Sequence, residues 1–339
     1  MLKSARVDAR VTIADVAREA GVSRQTVSRV INNKGEISPE TLAHVRSVIA
    51  RLEYRPSSIA RGLATQKTLT IGLVVPDIAN PFFAEIARAA EDTAHAAGYS
   101  LLLGNTAEDQ TREEDVFFAL EDKRVDGVII CSSRLPDERL RTLVGRFPAA
   151  VLFNRRLPGA QPRKIFVDDA KGALIAVHHV IRDGRMTLAQ IVGPTASFSA
   201  RERVAGFAAG LAEAGRSLDP GLELACSPNY EGGYEAAVHL LTQHPEIDAL
   251  LCYNDLTAAG ALAACAQLGR RVPADVAVIG NDDIMLARLV TPPLTTLRVD
   301  KRQIGVSAME LLLAQINQGA EAGEDIVCTP ELIVRASAP

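Results

Sequence analysis

Near the N-terminus two short amphipathic segments follow one another with a single glycine at the turn between them, and few folds accept such a pair. The stretch reads VTIADVAREAGVSRQTVSRVIN over residues 11–32. Thr12 is a good helix N-cap, and Asp15 stands at the spacing of a reciprocal capping box. Ile13, Val16, Ala17 and Ala20 recur at i, i+3, i+4, i+7, which puts them on one helical face. Gly21 suits the positive φ of a sharp helix end, and Ser23 is placed to cap a second helix. In that helix Val27, Val30 and Ile31 face inwards, while Arg24, Gln25, Ser28 and Arg29 face outwards. A third helix is expected from Ser38, with Pro39 at its first position and Leu42, Val45, Ile49 and Leu52 inside. Two short helices joined at a glycine and braced by a third make a helix-turn-helix, whose second helix lies in the major groove of DNA.

The outward residues have matching chemistry. A guanidinium can bond a guanine edge bidentately, and a glutamine carboxamide can do so with adenine. Arg24, Gln25 and Arg29 are the expected base readers, with Thr12, Ser23, Thr26, Ser28 and Asn32 nearer the phosphates. An amphipathic helix pair with no DNA role has the same periodicity; the agreement of caps, glycine and spacing favours DNA. Charge points the same way. Residues 1–67 carry 12 Lys+Arg against 6 Asp+Glu, whereas the remainder carries 25 against 35. The overall charge of −4 therefore hides a basic head on an acidic body, an electrostatic footprint for phosphates confined to one end.

Tyr54-Arg55-Pro56 ends the third helix, because the residue before proline avoids helical geometry. Residues 57–64 can form two helical turns, too short to persist alone below roughly 12 residues. Such a segment is expected to order on a partner.

These features resemble the DNA-binding headpiece and hinge of the LacI/GalR family of bacterial repressors. The resemblance rests on ADVAREAGVS, TVSRVIN, and then Tyr54, Pro56, Ala60, Arg61 and Leu63. It implies DNA contacts at Tyr54, Ser57, Ala60, Arg61 and Leu63. The hinge helices of a dimer would pair in the minor groove, with Leu63 wedged into the central base step; the unstacking cost is offset by the contact that a bent site allows. A stray surface or core leucine is the plain alternative for Leu63.

From Leu69 the pattern changes. LTIGLVVPD is a continuous apolar run of the kind buried on both faces of a parallel sheet. Helix, YSLLLGNT, helix, VDGVIICSS, helix and AAVLFN follow, and the alternation restarts after Asp169 with LAQIVGP, DALLCYND and VAVIGND as its firmest strands. Repeated βα units imply doubly wound parallel sheets with helices on both faces. The fold class expected is an N-terminal all-α headpiece with a hinge helix, followed by an α/β two-lobed core. The expected divisions are 1–55 for the headpiece, 56–67 for the hinge and linker, and 68–339 for the core. The first lobe would comprise about 68–168 plus 299–326, and the second about 169–298 plus 330–339. The core is similar to the family's effector-binding part, itself like a periplasmic binding protein. NPFFAEI (80–86), ARERVAGF (200–207), YNDLTAAGAL (253–262), VPADVAVIGNDD (272–283) and PPLTTLRVD (292–300) carry that likeness.

In an open α/β sheet, ligands bind beyond the C-terminal ends of the strands. That rule selects the loops 77–83, 131–134, 154–156, 194–203, 253–255 and 281–283, hence Ser132 and Ser199 among the candidates. Their polar planar groups suit sugar hydroxyls, and their aromatic rings suit a sugar or base ring. The resemblance further implies that Arg203 and Asp282 clamp an effector, with Asn254 and Asn154 on its hydroxyls. It also puts Phe82 and Phe83 where purine-responsive members stack a ring. Ser197 stands where those members have arginine, which speaks against a purine, and Tyr230 is a candidate replacement for a ring-stacking residue. Plainer readings stand beside these. Asp282 and Asp283 are also placed to cap a helix, Arg203 to pair with Glu202 or Asp255, and Phe82 and Phe83 to fill a core. Arg155-Arg156 suits either an anionic ligand or a solvated loop.

Enzyme readings find little support. There is no phosphate-binding GxxxxGK[ST], no GxSxG and no HExxH. His178 and His179 point in different directions on one helix, so no metal site is expected, and no cofactor either. Five cysteines are scattered without CxxC spacing, as in reduced cytoplasmic proteins. No run approaches the length of a membrane helix, and the first ten residues lack a signal-peptide core. The expected protein is a cytoplasmic, homodimeric, ligand-controlled repressor of double-stranded operator DNA, with a sugar or sugar derivative as effector. A sugar-binding protein without DNA function and a purine- or nucleoside-responsive repressor are the alternatives.

Overall fold

The structure, a computed structural model, describes residues 11–31, 35, 37–54, 67–157, 163–319 and 323–339. The chain divides into two compact units, Met1–Thr68 and Leu69–Pro339.

The first unit holds three helices, α1 (Ile13–Glu19), α2 (Arg24–Ile31) and α3 (Pro39–Arg51). The Asp15 carboxylate accepts from Thr12 N at 3.0 Å and Thr12 Oγ1 at 2.6 Å. Those bonds hold its carboxyl below the ordinary value. Gly21 takes a φ of +64°, and Ser23 and Ser38 each accept from a backbone amide three residues on. Val16, Ala17, Ala20, Val27, Val30, Val45 and Val48 form the core between the helices. On α3, Val45 and Val48 are fully inside, and the expected Leu42, Ile49 and Leu52 are half-buried against the same core. Residues 57–64, with Ser57, Ala60, Arg61 and Leu63, lie outside the described residues, as does Asn32.

The second unit contains β1 (Thr70–Val75), α4 (Pro81–Ala96), β2 (Ser100–Asn105), α5 (Gln110–Asp122), β3 (Gly127–Cys131), α6 (Asp137–Val144), β4 (Ala150–Phe153) and β5 (Arg163–Val167). It continues with α7 (Asp169–Arg182), β6 (Leu188–Val192), α8 (Phe198–Glu213), β7 (Glu223–Ala225), α9 (Tyr230–Gln243), β8 (Ala249–Cys252), α10 (Asp255–Gln267) and β9 (Ala277–Asn281). Last come α11 (Leu286–Leu289), β10 (Thr295–Arg298), α12 (Lys301–Gln318), β11 (Ile326–Cys328) and β12 (Glu331–Ile333). The strands form two six-stranded sheets, in the orders β11-β5-β4-β3-β1-β2 and β12-β10-β9-β8-β6-β7. Every pairing is parallel except β10 with β12. Each sheet is covered on both faces, the first by clusters around Ile71, Ile86 and Leu312 and around Phe117 and Leu140. The second sheet packs Leu240 and Ala261 on one face and Val177 and Phe207 on the other.

The chain crosses between the lobes near its end. Helix α12 packs on the first lobe, β11 adds to the first sheet and β12 to the second. Strands β5 and β11 were not evident in sequence: β5 opens with Arg163-Lys164 and buries only Ile165 and Val167 fully, and β11 has three residues.

Candidate effector site

In each sheet the chain enters at an inner strand, steps outwards once, and then reverses. The reversals fall between β1 and β3 and between β6 and β8, and such switch points open crevices at the C-terminal strand ends. The loops that leave these strands meet around one cavity between the lobes. The first lobe contributes Asn80, Phe82, Phe83, Glu108, Ser132, Arg134 and Asn154; the second contributes Ser199, Arg203, Pro228, Tyr253, Asn254 and Asp282. Eight of the nine expected effector residues line it.

Arg203, on α8, is the charged centre of the second lobe. Its Nε donates to Asp169 Oδ1 at 2.9 Å, and its Nη1 donates to Tyr253 O. The guanidinium lies 4.8 Å from the Tyr253 ring centroid. Burial works against its charge, but Asp169, Tyr253 and Asp282 outweigh it and hold Arg203 above its ordinary value. The structural pairing expected with Glu202 or Asp255 is therefore corrected: the partner is Asp169, brought beside α8 because it opens α7. Asp255 instead accepts from Thr296 Oγ1 at 2.5 Å and Ile284 N at 2.8 Å. Burial, with Asp282 close by, raises the Asp255 carboxyl well above its ordinary value.

Asp282 lies at a φ of +120°, a conformation that costs on the order of 1–3 kcal/mol and recurs at functional sites. Burial raises its carboxyl; Arg203 and Asn281 pull against that rise. Lys301 Nζ donates to the carbonyls of Asp282 and Asp283 at 2.8 and 3.0 Å, fixing the turn. Neither aspartate caps a helix: Asp283 pairs with Arg335 at 2.6 Å, and Met285 is the N-cap residue of α11, which has no side-chain cap.

In the first lobe Arg134 donates to both oxygens of Glu108, at 2.6 and 3.1 Å, and to Ser132 O at 2.8 Å. Ser132 and Asn154 carry positive φ of +49° and +48° where β3 and β4 end. Asn154 Oδ1 accepts from Val167 N at 2.8 Å. Phe82 stacks on Phe153 with centroids 6.1 Å apart and meets Phe83 edge-on at 5.2 Å. Both rings thus belong to the core and to the cavity wall. Asn254 Oδ1 caps α10 through Thr257 N at 2.8 Å, and its Nδ2 donates to Pro228 O at 3.0 Å. Among the described residues, Ser199 Oγ and Asp169 Oδ2 are buried with no hydrogen-bond partner. They are the polar atoms here most in need of one.

Tyr230 is the exception among the expected residues. It begins α9, is 44% exposed and is not part of the cavity lining; the helix starts two residues earlier than the glycines suggested and carries the ring outwards. The solvated-loop reading of Arg155 also fails, since Arg155 is buried and pairs with Asp137 at 2.7 Å. Arg156 is exposed and stacks over Phe166 at 4.1 Å. Glu108, Arg134, Tyr253 and Asn80 were not singled out from sequence. Asn80 had a signal, a cap before Pro81, and it accepts from Phe82 N at 3.0 Å. Glu108 had none.

In the helical unit Arg24, Gln25 and Arg29 are exposed along α2, with Thr26 and Ser28 half-buried beside them. No helix among the described residues is long and apolar enough to cross a membrane, and no group of His, Cys, Asp and Glu there could hold a metal ion.

Two family descriptions match the chain: "Bacterial regulatory proteins, lacI family" over residues 12–57, and "Periplasmic binding proteins and sugar binding domain of LacI family" over residues 68–336. The regulator GalR of Escherichia coli (strain K12) is 36% identical over 326 residues, spanning 96% of this chain and 95% of GalR. The repressor PurR of Haemophilus influenzae (strain PittEE) is 36% identical over 329 residues, spanning 96% and 98%. Among solved structures, a lac repressor dimer bound to operator and the anti-inducer ONPF superposes with a TM-score of 0.87 at 29% identity, covering 97% of this chain and 99% of that one. A complex of the regulator CelR with cellobiose superposes with a TM-score of 0.74 at 31% identity, covering 97% and 100%. These relatives are transcriptional regulators, not enzymes.

Proposed function

The chain belongs to the LacI family of bacterial regulatory proteins, and on that premise we propose that it is a homodimeric, cytoplasmic repressor released from or fixed to its operator by a neutral sugar. Residues 1–55 are its DNA-binding headpiece, 56–67 its hinge and linker, and 68–339 its effector and dimer core. Arg24, Gln25 and Arg29 of α2 read base edges, while Thr12, Ser23, Thr26, Ser28 and Asn32 contact the backbone. Tyr54, Ser57, Ala60, Arg61 and Leu63 serve the hinge. A two-fold protein reads a two-fold site, so the operator is pseudo-palindromic.

The observation that carries the choice of effector is the matching of charge in the cavity. Both guanidiniums that line it already have a carboxylate, Arg134 with Glu108 and Arg203 with Asp169. A phosphate or carboxylate on the ligand would find no unmatched cation there, and burying an unpaired charge is costly. A neutral polyol instead meets Ser132, Ser199, Asn154 and Asn254, with the rings of Phe82 and Phe83 beside them. Against a purine stands Ser197, which is fully buried and spends its hydroxyl on Ala200 N and Tyr253 Oη.

Thermal unfolding in panels of neutral sugars, sugar phosphates and purines tests this. A neutral sugar at 100 times its Kd should stabilise the core by about 2.7 kcal/mol, and Arg203→Ala should abolish the shift. Stabilisation by sugar phosphates or purines alone would overturn the choice.

A further inference from the structure

A second cavity lies in the second lobe, between its sheet and helices α7 and α8. Ala173, Ala176 and Ala200 form the helical side, and Leu251, Ile279 and Leu297 are on the strand side. Small residues on two helices have left space that larger ones would fill. Besides Arg203, Tyr253 and Asn281, a further polar side chain enters this lining. Gln190, in the middle of β6, is 6% exposed, and its Oε1 is buried without a hydrogen-bond donor among the described residues. A carbonyl oxygen in that position is expensive to leave unmet, and in a strand whose other residues are apolar nothing in packing calls for it.

This cavity adjoins the effector cavity. Arg203 and Tyr253 line both, so a ligand held by Arg203 sits against their shared wall. The Tyr253 ring packs on Gly193, 2.5 Å from where an added Cβ would stand.

We infer that the second cavity is a subsite for a short acyl-amide arm of the effector, so that the ligand class is an N-acylated sugar. This rests on the reading of the first cavity as a sugar site. A carboxamide presents a donor and an acceptor side by side, and an amide on the ligand complements both. The acyl methyl then lies on the alanines, where a hydroxyl would have no partner. A charged arm would find no unmatched counter-charge, because Arg203 is already paired with Asp169 and Gln190 carries no charge.

Calorimetric titration of the full chain with N-acetylglucosamine, N-acetylgalactosamine and N-acetylmannosamine, each beside its parent hexose, tests the subsite. One acetylated sugar should bind at least about tenfold more tightly than its parent, a difference of about 1.4 kcal/mol. Gln190→Leu, and Gln190→Met as a variant of closer shape, should bring that ratio to within about twofold. Three outcomes contradict the proposal. Parent and acetylated sugars binding alike, with Arg203→Ala abolishing both, removes the arm and leaves the sugar site. An acetyl preference that survives both Gln190 variants moves the arm elsewhere. No binding by any sugar overturns the subsite and the sugar reading together.

Discussion

Asp169 is buried and Arg203 largely so, and each depends on the other for a counter-charge. Removing one partner of such a pair typically costs about 3–5 kcal/mol, because the remaining charge is left unmatched. Arg203→Ala should therefore lower stability in urea by an amount of that order as well as abolish effector binding, and Arg203→Ala combined with Asp169→Ala should recover part of the stability without recovering binding. Asp255 makes a prediction of opposite sign with pH. Its folded carboxyl stays protonated above the ordinary value of 3.8, so in that window the native state holds a proton that the unfolded chain has released. Stability then falls as pH rises from there towards the folded value. Asp255→Asn should flatten the dependence of unfolding free energy on pH across this window; an unchanged slope would show that the carboxyl is ionised when folded. On the helical unit, Arg24→Ala should relax base preference at one position of each half-site in a random-sequence selection, whereas loss of a phosphate contact would weaken all sequences alike.

Helices α7 and α8 meet so closely that a Cβ on Gly206 would lie 2.0 Å from Ala170 O. Gly206 is three residues from Arg203, and Ala170 follows Asp169, so this crossing sets the separation of the buried pair. Gly206→Ala should cost about 1–3 kcal/mol by overpacking and weaken effector binding with it; measurement of both on one variant checks the link. The elements themselves were largely legible in sequence. Caps, glycines and 3.6-residue periodicity marked α1, α2 and α3, and apolar runs marked the doubly buried strands. Strand β5 escaped because its pattern is set by neighbours on either side. The loops of the cavity were legible from the strand-end rule, whereas Arg203 and Asp282 were singled out within them by the family resemblance. The partner of Arg203 was not: Asp169 lies 34 positions away along the chain, and only the packing of α7 on α8 brings them together. The Glu108–Arg134 pair escaped for the same reason.

Across the whole chain a basic head and an acidic body separate two tasks, and a ligand-controlled repressor needs them coupled. Occupation of the core by its effector must change the free energy of operator binding, typically by about 1–3 kcal/mol, or some 5–150-fold in affinity. A ligand can do so only through a difference in its own affinity for the DNA-bound and free forms. The most direct test is one titration. A duplex selected from a random-sequence pool by the full chain is labelled, and its binding is followed by fluorescence anisotropy at fixed salt with and without the sugar that stabilises the core. The prediction is a change in operator Kd of at least about fivefold, absent in Arg203→Ala. An operator affinity identical with and without a sugar known to occupy the cleft would contradict ligand control of DNA binding.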